Sequence, residues 1–478
     1  MVTSPRPTII QGGMGVGVSS WWMARSIARR GQVGVVSGTA LDAVLARRLQ
    51  DGDPGGHSLR ALEHFPEQDM VERTLAKYYR QHGRHGSPYR PNPTLTIDIS
   101  RDALELGVLA NFAEVWLAKE GHDGLVGVNL LEKIQMATPV AAFGAVLAGV
   151  DYVLMGAGIP REIPHLLTEL AAGRPGSVTI DVTGSTRQHV STVDPRAVLG
   201  AALPAMRRPQ FLAIVSLHSL ATYLYRDEEI RPDGFVVEGP HAGGHSAPPR
   251  GKMQLDDVGD PIYGARDLAD LGKIAAIGLP FWAAGGYSTP ESVAAVVGEG
   301  ATGVQCGTIF ALSTDSGLVP QFRQRMIDGL RDGTLDVRND PRASPTGFPF
   351  KVAQVPGTLS VPDVYAARPR LCDLSYLREP YERENGVVGY RCASEPVDVY
   401  LRKGGTLEGT QGRKCLCNAL MANIGLGQER KDGYVELPAI TLGQDLDGPR
   451  RLLEIHPDGW TAEQAVDWLL SELPAALG

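Results

Sequence analysis

The sequence predicts an α/β protein built on a (β/α)8 barrel, and three observations favour this class. Short apolar runs that end in Gly, Ser or Asn alternate with helical patterns, which is typical of strand–helix units around a parallel sheet. Eight such runs occur, and eight units fit a closed barrel better than an open sheet. The composition, with 43% hydrophobic residues, 21% charged residues and 57 glycines, is that of a globular α/β protein.

The predicted strands follow one another at the spacing of strand–helix units. They lie at residues 8–10, 33–36, 125–128, 152–155, 211–215, 234–237, 280–283 and 303–305. Beyond about residue 313 the alternation ends, and a region that contains Pro, Arg and Cys runs to a final predicted helix over 461–470. The sequence therefore predicts a barrel domain over 1–312 and a smaller C-terminal domain over 313–478.

Two segments interrupt the barrel pattern. The first is an insertion over 51–92, after the second strand, and we expect it to cover the mouth of the active site. It contains one predicted helix whose apolar face is formed by Val71, Leu75, Tyr78 and Tyr79. The second is a predicted hairpin between strands four and five, formed by residues 178–184 and 188–193.

The charge and hydropathy of the chain narrow the classes of partner that we expect it to bind. The net charge of −8 and the isolated arginine pairs leave no basic stripe, which argues against a nucleic-acid partner. A proline stands where a signal peptide needs apolar residues, and the most apolar segment, 137–150, is too short to span a bilayer. We expect a cytoplasmic protein that acts on a small molecule, away from membranes.

The segment QGGMGVGVSS, residues 11–20, follows the first strand and resembles a dinucleotide-binding turn at first sight. The dinucleotide fingerprint requires a third glycine where Val18 stands, and an acidic residue at the tip of the next strand, where none occurs. The segment is instead predicted to be a turn that lets a flat ligand approach the backbone. Ser19 or Ser20 is expected to cap the following helix.

The loops after strands seven and eight predict a phosphate site. FWAAGGYSTPE places Gly285 and Gly286 at a strand end and Thr289 before a helix, and VQCGT repeats the arrangement one strand later with Gly307. These are the loops where barrel enzymes commonly bind phosphate through backbone N–H groups. Taken singly, each glycine is equally consistent with an ordinary turn.

The segment GPHAGGH, residues 239–245, places His245 on a loop at a strand end, where barrel chemistry occurs. Its two glycines exclude a helix, so His241 and His245 do not form a helical metal pair. An imidazole has a pKa suited to proton transfer near neutrality. We therefore predict that His245 is catalytic, the alternative being a loop histidine bonded to backbone.

The motifs QGGMGVGVSS, GVN, GPHAGGH, AAGG and GVQCGT resemble, in order and spacing, the nitronate monooxygenase (2-nitropropane dioxygenase) family, an FMN-dependent TIM-barrel group related to flavin enoyl-acyl-carrier-protein reductases. The resemblance covers roughly residues 7–312 and implies a catalytic role for His245. The residues that it implies for FMN binding are Gly12, Gly13, Met14, Asn129, Glu238, Gly243, Gly244, Ala284, Gly285, Gly286, Gln305, Cys306, Gly307 and Thr308. The chain departs from the family at His241 and Glu238, and at the Ser-Ala-Pro-Pro that follows His245, so the substrate stays open.

Two reactions can use one flavin and one histidine. A nitronate monooxygenase oxidises alkyl nitronates or a related carbanion with O2. A flavin enoyl reductase uses NAD(P)H to reduce an acyl-thioester, and would add an acyl carrier protein as a partner. A non-catalytic flavin-binding protein is the third reading, and the intact AGGH disfavours it. Whether the chain forms a homo-oligomer stays open.

Four of the five cysteines, Cys372, Cys392, Cys415 and Cys417, crowd into the C-terminal region. Their spacing is not that of a paired zinc knuckle, but Arg413 and Lys414 beside Cys415 would favour thiolates. We predict a metal site, an iron–sulfur cluster in preference to structural zinc. The alternative is a set of buried thiols.

Overall fold

The computed structural model describes residues 6–200 and 202–473, and its strands form one large sheet and three two-stranded sheets. In chain order the strands are β1 (Ile9–Gln11), β2 (Val33–Ser37), β3 (Val126–Leu131), β4 (Tyr152–Gly156), β5 (Gly176–Ile180), β6 (His189–Val193), β7 (Gln210–Val215), β8 (Gly234–Glu238), β9 (Phe281–Ala284), β10 (Gly303–Cys306), β11 (Val337–Asp340), β12 (Phe350–Ala353), β13 (Glu379–Glu382) and β14 (Val388–Arg391). Eight of them close a parallel barrel in the order β1-β2-β3-β4-β7-β8-β9-β10, with β10 paired to β1. The predicted (β/α)8 barrel is confirmed.

Helices fill the connections between the barrel strands and much of the C-terminal region. In chain order they are α1 (Trp21–Arg29), α2 (Leu41–Gln50), α3 (His57–Leu62), α4 (Gln68–Tyr78), α5 (Arg101–Lys119), α6 (Thr138–Leu147), α7 (Ile163–Ala171), α8 (Pro195–Leu199), α9 (His218–Arg226), α10 (Leu271–Ala275), α11 (Pro290–Gly298), α12 (Thr308–Ala311), α13 (Pro320–Arg331), α14 (Pro362–Ala367), α15 (Val397–Arg402), α16 (Leu416–Ala422), α17 (Asp447–Ile455) and α18 (Ala462–Leu469). Short 3-10 turns lie at Glu132–Ala137, Ala265–Asp267 and Glu408–Thr410. Ser20 caps α1 and Thr289 caps α11, as the sequence predicts.

Apolar side chains fill the barrel from within. The inner cluster consists of Ile10, Val33, Val35, Tyr152, Leu154, Leu212, Val236, Trp282 and Ala284. The indole Nε1 of Trp282 donates to the carbonyl of Pro7 at 3.0 Å, so the one polar atom of this ring is satisfied. Because helices cover the outer face as well, the strands are buried on both sides and appear as continuous apolar runs in the sequence.

The two predicted interruptions are present, with differences in detail. The hairpin is formed by β5 and β6, which pair antiparallel between β4 and β7. The insertion contains the predicted helix as α4, which ends at Tyr78, before Gly83. It also contains α3, whose six residues are too few to show a helical period in the sequence.

The insertion does not cover the active-site mouth as expected. Its residues bond instead to the C-terminal region: the backbone N–H of Tyr89 donates to the side chain of Gln428 at 2.8 Å, and Arg84 pairs with Glu429 at 2.9 Å. The residues that line the main cavity all come from other segments. The expectation of a lid over 51–92 is therefore wrong.

The C-terminal region packs against the barrel. Trp460 is fully buried, and its Nε1 donates to the carbonyl of Ile309 at 2.8 Å. Apolar residues from both sides of residue 312 belong to one continuous core, and the predicted domain boundary there stays a prediction. Among the described residues no helix is long and apolar enough to cross a membrane. Residues 1–5, on which the targeting prediction partly rests, lie outside the described residues.

Candidate active site

The main cavity opens at the carboxyl ends of the barrel strands. It encloses about 1590 Å³ of non-atom space, with the solvent at its open mouth included. Its walls include His245 and every residue that the family resemblance assigned to FMN. These are Gly12, Gly13, Met14, Asn129, Glu238, Gly243, Gly244, Ala284, Gly285, Gly286, Gln305, Cys306, Gly307 and Thr308. The fold thus brings together residues that the chain separates by nearly three hundred positions.

Ser19 holds the QGGM turn in place. Its hydroxyl donates to the carbonyl of Gly12 at 2.9 Å, and accepts from the backbone N–H of Met14 at 2.9 Å and from the side-chain amide of Gln11 at 2.8 Å. These bonds fix the turn after β1 from behind, so its backbone faces the cavity. Ser20, the neighbouring residue, caps α1.

Asn129 at the end of β3 lies directly against Gly13. A Cβ on Gly13 would come within 2.3 Å of the Cβ of Asn129, so only glycine fits there. The Asn129 amide donates to the Gly13 carbonyl at 3.2 Å, whereas its Oδ1 is buried with no hydrogen-bond partner. The Oε1 of Gln305 is buried and unpartnered as well. Two orphaned acceptors in one cavity suit a ligand with N–H or O–H donors, and a flavin ring with a ribityl chain carries both.

The two glycine loops lie side by side after β9 and β10. Gly285 and Gly286 have φ values of +80° and +122°, which a residue with a side chain rarely adopts. The residues described along the cavity include no Lys or Arg. A phosphate here would therefore rely on backbone N–H groups, as the loops predict.

His245 lies at the junction of the barrel and the C-terminal region. Its Nε2 is 2.7 Å from the hydroxyl of Ser344, and its ring meets that of Phe350 edge-on, with 4.9 Å between centroids. Burial and the nearby Lys133 ammonium lower the pKa of His245 to about 4. The expectation of a pKa near neutrality is not met, and the imidazole is neutral at pH 7.

Glu238 and Lys351 form a second pair of perturbed groups beside the AGGH loop. Burial raises the pKa of Glu238 to about 7, opposed by the charge of Lys351. Burial likewise lowers the pKa of Lys351 to about 8, opposed by Glu238. The Lys351 ammonium donates to the carbonyl of Pro240 at 2.7 Å and to the hydroxyl of Ser246 at 2.8 Å. It therefore holds the AGGH loop at both ends.

A segment of the C-terminal region, residues 441–445, crosses the cavity; we call it the bridging segment. The hydroxyl of Thr441 accepts from the backbone N–H of Gly244 at 2.8 Å, and the backbone N–H of Gly443 donates to the hydroxyl of Thr308 at 2.8 Å. The segment thus joins the AGGH loop to the loop after β10. A second contact, between Gly243 and Leu442, is so close that a Cβ on Gly243 would lie 2.9 Å from the Leu442 carbonyl carbon.

Sequence reasoning did not assign this part of the wall to the site. Its C-terminal lining residues are Phe350, Tyr376, Leu377, Leu416, Cys417, Leu420, Thr441, Leu442, Gly443 and Asp445. They belong to no recognisable motif, and they lie outside the residues that the resemblance covers. Cys306 was assigned, and burial raises the pKa of its thiol to about 12, so it lines the cavity as a neutral group.

The predicted metal site is not found. Among the described residues, no group of three or more His, Cys, Asp or Glu side chains could hold a metal ion. Cys372 is exposed, Cys392 and Cys415 are buried, and Cys417 faces the main cavity. Burial raises the pKa of Cys392 to about 12 and that of Cys417 to about 11, and raises the pKa of Cys415 strongly. Cys392, Cys415 and Cys417 are therefore neutral thiols.

The basic residues expected to favour thiolates bond elsewhere. Arg413 donates to backbone carbonyls, among them that of Ser344 at 2.6 Å, and Lys414 pairs with Asp340 at 3.1 Å. Cys415 and Cys417 also stand two positions apart at the start of α16. Cys415 is the N-cap of α16 with a non-helical backbone, and the charge of Cys417 contributes to raising the pKa of Cys415, so the two thiols lie close enough to interact.

Comparisons with known proteins agree with the motifs. The family model described as nitronate monooxygenase matches residues 201–340. A nitronate monooxygenase from Pseudomonas aeruginosa is 29% identical over 206 residues, 42% of this chain and 53% of the relative. A (3aS,4S,5R,7aS)-5-hydroxy-7a-methyl-1-oxo-octahydro-1H-indene-4-carboxyl-CoA dehydrogenase from Mycobacterium tuberculosis is 32% identical over 103 residues, 22% of this chain and 26% of the relative. The chain thus spans about half and about a quarter of these two curated relatives.

Two solved structures are similar in outline. FabK from Thermotoga maritima matches with a TM-score of 0.48 at 15% identity, covering 98% of this chain and 93% of that one. A nitroalkane oxidase from Streptomyces ansochromogenes matches with a TM-score of 0.47 at 15% identity, covering 98% and 96%.

Fold and site define a class: a parallel barrel with a glycine-lined cavity at the carboxyl ends of its strands. Within that class the matched family model confirms the resemblance predicted from the motifs. Over residues 201–340 the chain is similar to the nitronate monooxygenases.

Proposed function

We propose that the protein is an FMN-dependent oxidoreductase that oxidises alkyl nitronates, or a related carbanion substrate, with O2. The observation that carries the proposal is the main cavity itself. It combines a glycine-lined phosphate end, two orphaned buried acceptors at Asn129 and Gln305, and a neutral imidazole at His245. FMN, when bound, would supply the redox chemistry that the oxidation of a carbanion with O2 requires.

The residues of the chain divide the remaining work. The turns at Gly12–Gly13 and Gly285–Gly286 let a flat ligand and its phosphate approach the backbone. Asn129 and Gln305 accept hydrogen bonds from the cofactor. His245 holds or takes the proton from the substrate carbon next to the reacting group, and Ser344 orients its ring through Nε2.

The state of His245 favours the nitronate reading over the enoyl reductase reading. An enoyl reductase needs a proton donor for the α-carbon, and an imidazole with a pKa of about 4 carries no extra proton at pH 7. A preformed nitronate has, by contrast, already lost its α-proton, so its oxidation needs no proton donor. The mycobacterial relative is a carboxyl-CoA dehydrogenase, which keeps the thioester alternative worth testing.

Anaerobic half-reactions test the proposal. We expect FMN to copurify with the full chain, and its absorbance to bleach on mixing with the nitronate of nitroethane in the absence of any nicotinamide. Rapid bleaching by NADPH or NADH, followed by reoxidation with a trans-2-enoyl thioester but not with O2, would replace the proposal by the enoyl reductase. Absence of flavin would refute both.

His245→Ala separates proton transfer from cofactor housing. Turnover of neutral nitroethane should fall by about 10²–10⁴-fold, the usual effect of losing a general base, while the flavin spectrum and the rate with the preformed nitronate change far less. His241→Ala is the matched control, because His241 lines the same cavity from an exposed position. Equal rates for His245→Ala and the unmodified protein would show that this residue is structural.

A further inference from the structure

A second cavity lies beside the main one, between α2, α5 and α6. The two cavities share Thr39, Ala40, Leu130, Leu131, Ile134 and Tyr376. These residues stand at or just beyond the ends of β2 and β3, next to Asn129, or come from the C-terminal region. Because the same side chains border both spaces, the second cavity is a side pocket of the active site.

The wall of the side pocket is mainly apolar. Its deeper part is lined by Leu95, Ala103, Gly107, Ala137, Val140 and Ala141. The helices α5 and α6 pack closely at one side of this space, where a Cβ on Gly107 would come within 2.7 Å of Cγ1 of Val140. Walls of this kind bind aliphatic or aromatic groups and exclude charged ones.

One polar atom in the side pocket lacks a partner. Asn111 on α5 is 4% exposed, and its amide donates to the carbonyl of Gly107 at 2.9 Å, but its Oδ1 makes no hydrogen bond. An unpaired buried acceptor is costly, about 1–3 kcal/mol, unless a ligand or water meets it. This atom marks the side pocket as a place that receives something from outside the protein.

The junction between the two cavities is built from constrained residues. Ala40 has φ +55°, a left-handed conformation that is unusual for a residue with a side chain. The hydroxyl of Tyr376 donates to the buried carboxylate of Asp42 at 2.5 Å, which keeps the ring between the two spaces. The shape of the junction between the two cavities is therefore fixed by the protein before any ligand binds.

We propose that the side pocket holds an aliphatic arm of the substrate, several methylenes long, while the reactive end lies beside His245. The substrate class is then a medium-chain alkyl compound, and an O–H or N–H on the arm would pair with Asn111. The identity of the reactive end rests on the proposed function. The binding of an aliphatic arm rests on the side pocket alone.

Calorimetric titration of the full chain with primary alcohols, from 1-butanol to 1-octanol, tests the arm without any turnover. Each added methylene that enters the pocket should tighten Kd by about three- to fourfold, until the pocket is full and the affinity levels off. The site should bind one alcohol per chain. A Kd that does not change with chain length would overturn the proposal.

Two variants link that affinity to this pocket. Ala141→Leu fills it, so affinity should level off at a shorter alcohol, and Leu95→Ala enlarges it, so the levelling should move to a longer one. Ala295→Leu is the matched control, because Ala295 is exposed on α11 and lines neither cavity. If Ala141→Leu does not fold, the alcohol series with Leu95→Ala and with the unmodified protein still tests the proposal. Unchanged length profiles in the folded variants would place the alcohols elsewhere and refute the pocket.

The same length series applied to primary nitroalkanes connects the arm to the reaction. The value of kcat/KM should rise with chain length as the alcohol affinity does. Length-dependent alcohol binding without nitroalkane turnover would leave the side pocket intact and refute the proposed function. Nitroalkane turnover whose kcat/KM does not depend on chain length, together with alcohol binding that does not depend on it either, would refute the side pocket and leave the proposed function intact.

Discussion

At the scale of single residues, Glu238 is a group whose charge changes near physiological pH. Its pKa of about 7 means that it is half ionised at neutrality, and Lys351, with a pKa of about 8, loses its compensating charge just above that. Glu238 lines the main cavity. An anionic substrate therefore meets a cavity that becomes more negative as pH rises.

The pH dependence of Glu238→Gln follows from this charge. For preformed nitronates, kcat/KM of the unmodified protein should fall as pH rises through about 7, because ionised Glu238 repels the anion. In Glu238→Gln the profile should be flat, with a gain of up to about tenfold at pH 8, one pH unit above the pKa. Glu384→Gln is the control, because Glu384 is exposed and lines neither cavity. A profile that is the same in the variant and the unmodified protein would assign the titration to another group.

Residues of the site differed in how far the sequence could predict them. His245 and the glycines were predictable, because each motif is local and its glycines impose a backbone shape that is legible in a few residues. Ser344 and Lys351, which touch His245 and its loop, were not, since about a hundred residues separate them from it and neither stands in a motif. The cysteines do lie near one another, since the charge of Cys372 helps to raise the pKa of both Cys415 and Cys417, but no group that could hold a metal ion is found among the described residues.

At the scale of elements, the loops after β9 and β10 carry the phosphate prediction. Gly307 offers the cleaner test of the two, because its φ is ordinary and a Cβ there would meet only the Met14 side chain, at 3.5 Å or more. An alanine therefore fits this position without strain. A change in cofactor binding can then be assigned to charge.

We expect Gly307→Asp to lose FMN, because it places an anion against the phosphate, and Gly307→Ala to retain it. The ratio of flavin to protein absorbance after purification measures both. Both variants replace the glycine with a residue that has a side chain, and only one of them adds a carboxylate. Stoichiometric FMN in Gly307→Asp would therefore show that the phosphate does not bind at this loop.

Most elements were predictable where local signals agreed. The barrel strands are buried on both faces and stand out as apolar runs, and α11 and α18 begin at capping threonines, Thr289 and Thr461. The role of the insertion was not predictable, because its destination depends on contacts with residues near 428, far along the chain. The position of a segment after a given strand determines where the segment starts, but it does not determine which part of the protein the segment packs against.

At the scale of the whole molecule, the C-terminal region acts as part of the barrel's wall. Trp460 anchors it beneath α12, so Trp460→Ala should lower the free energy of unfolding by about 3–5 kcal/mol, through lost burial and a cavity. Trp468→Ala, at a partly exposed site, should cost less. Urea denaturation measures both. Equal, small losses would mean that the C-terminal region contributes little to the stability of the barrel.

The bridging segment has a consequence for descent. Since residues 441–445 fasten the AGGH loop to the loop after β10, one side of the cavity comes from beyond residue 312. A gene exchange that swapped the region after residue 312 between two such proteins would replace Thr441 and Gly443 together with Tyr376 and Cys417. Preference for one substrate over another can thus be inherited from the region that carries none of the recognisable motifs.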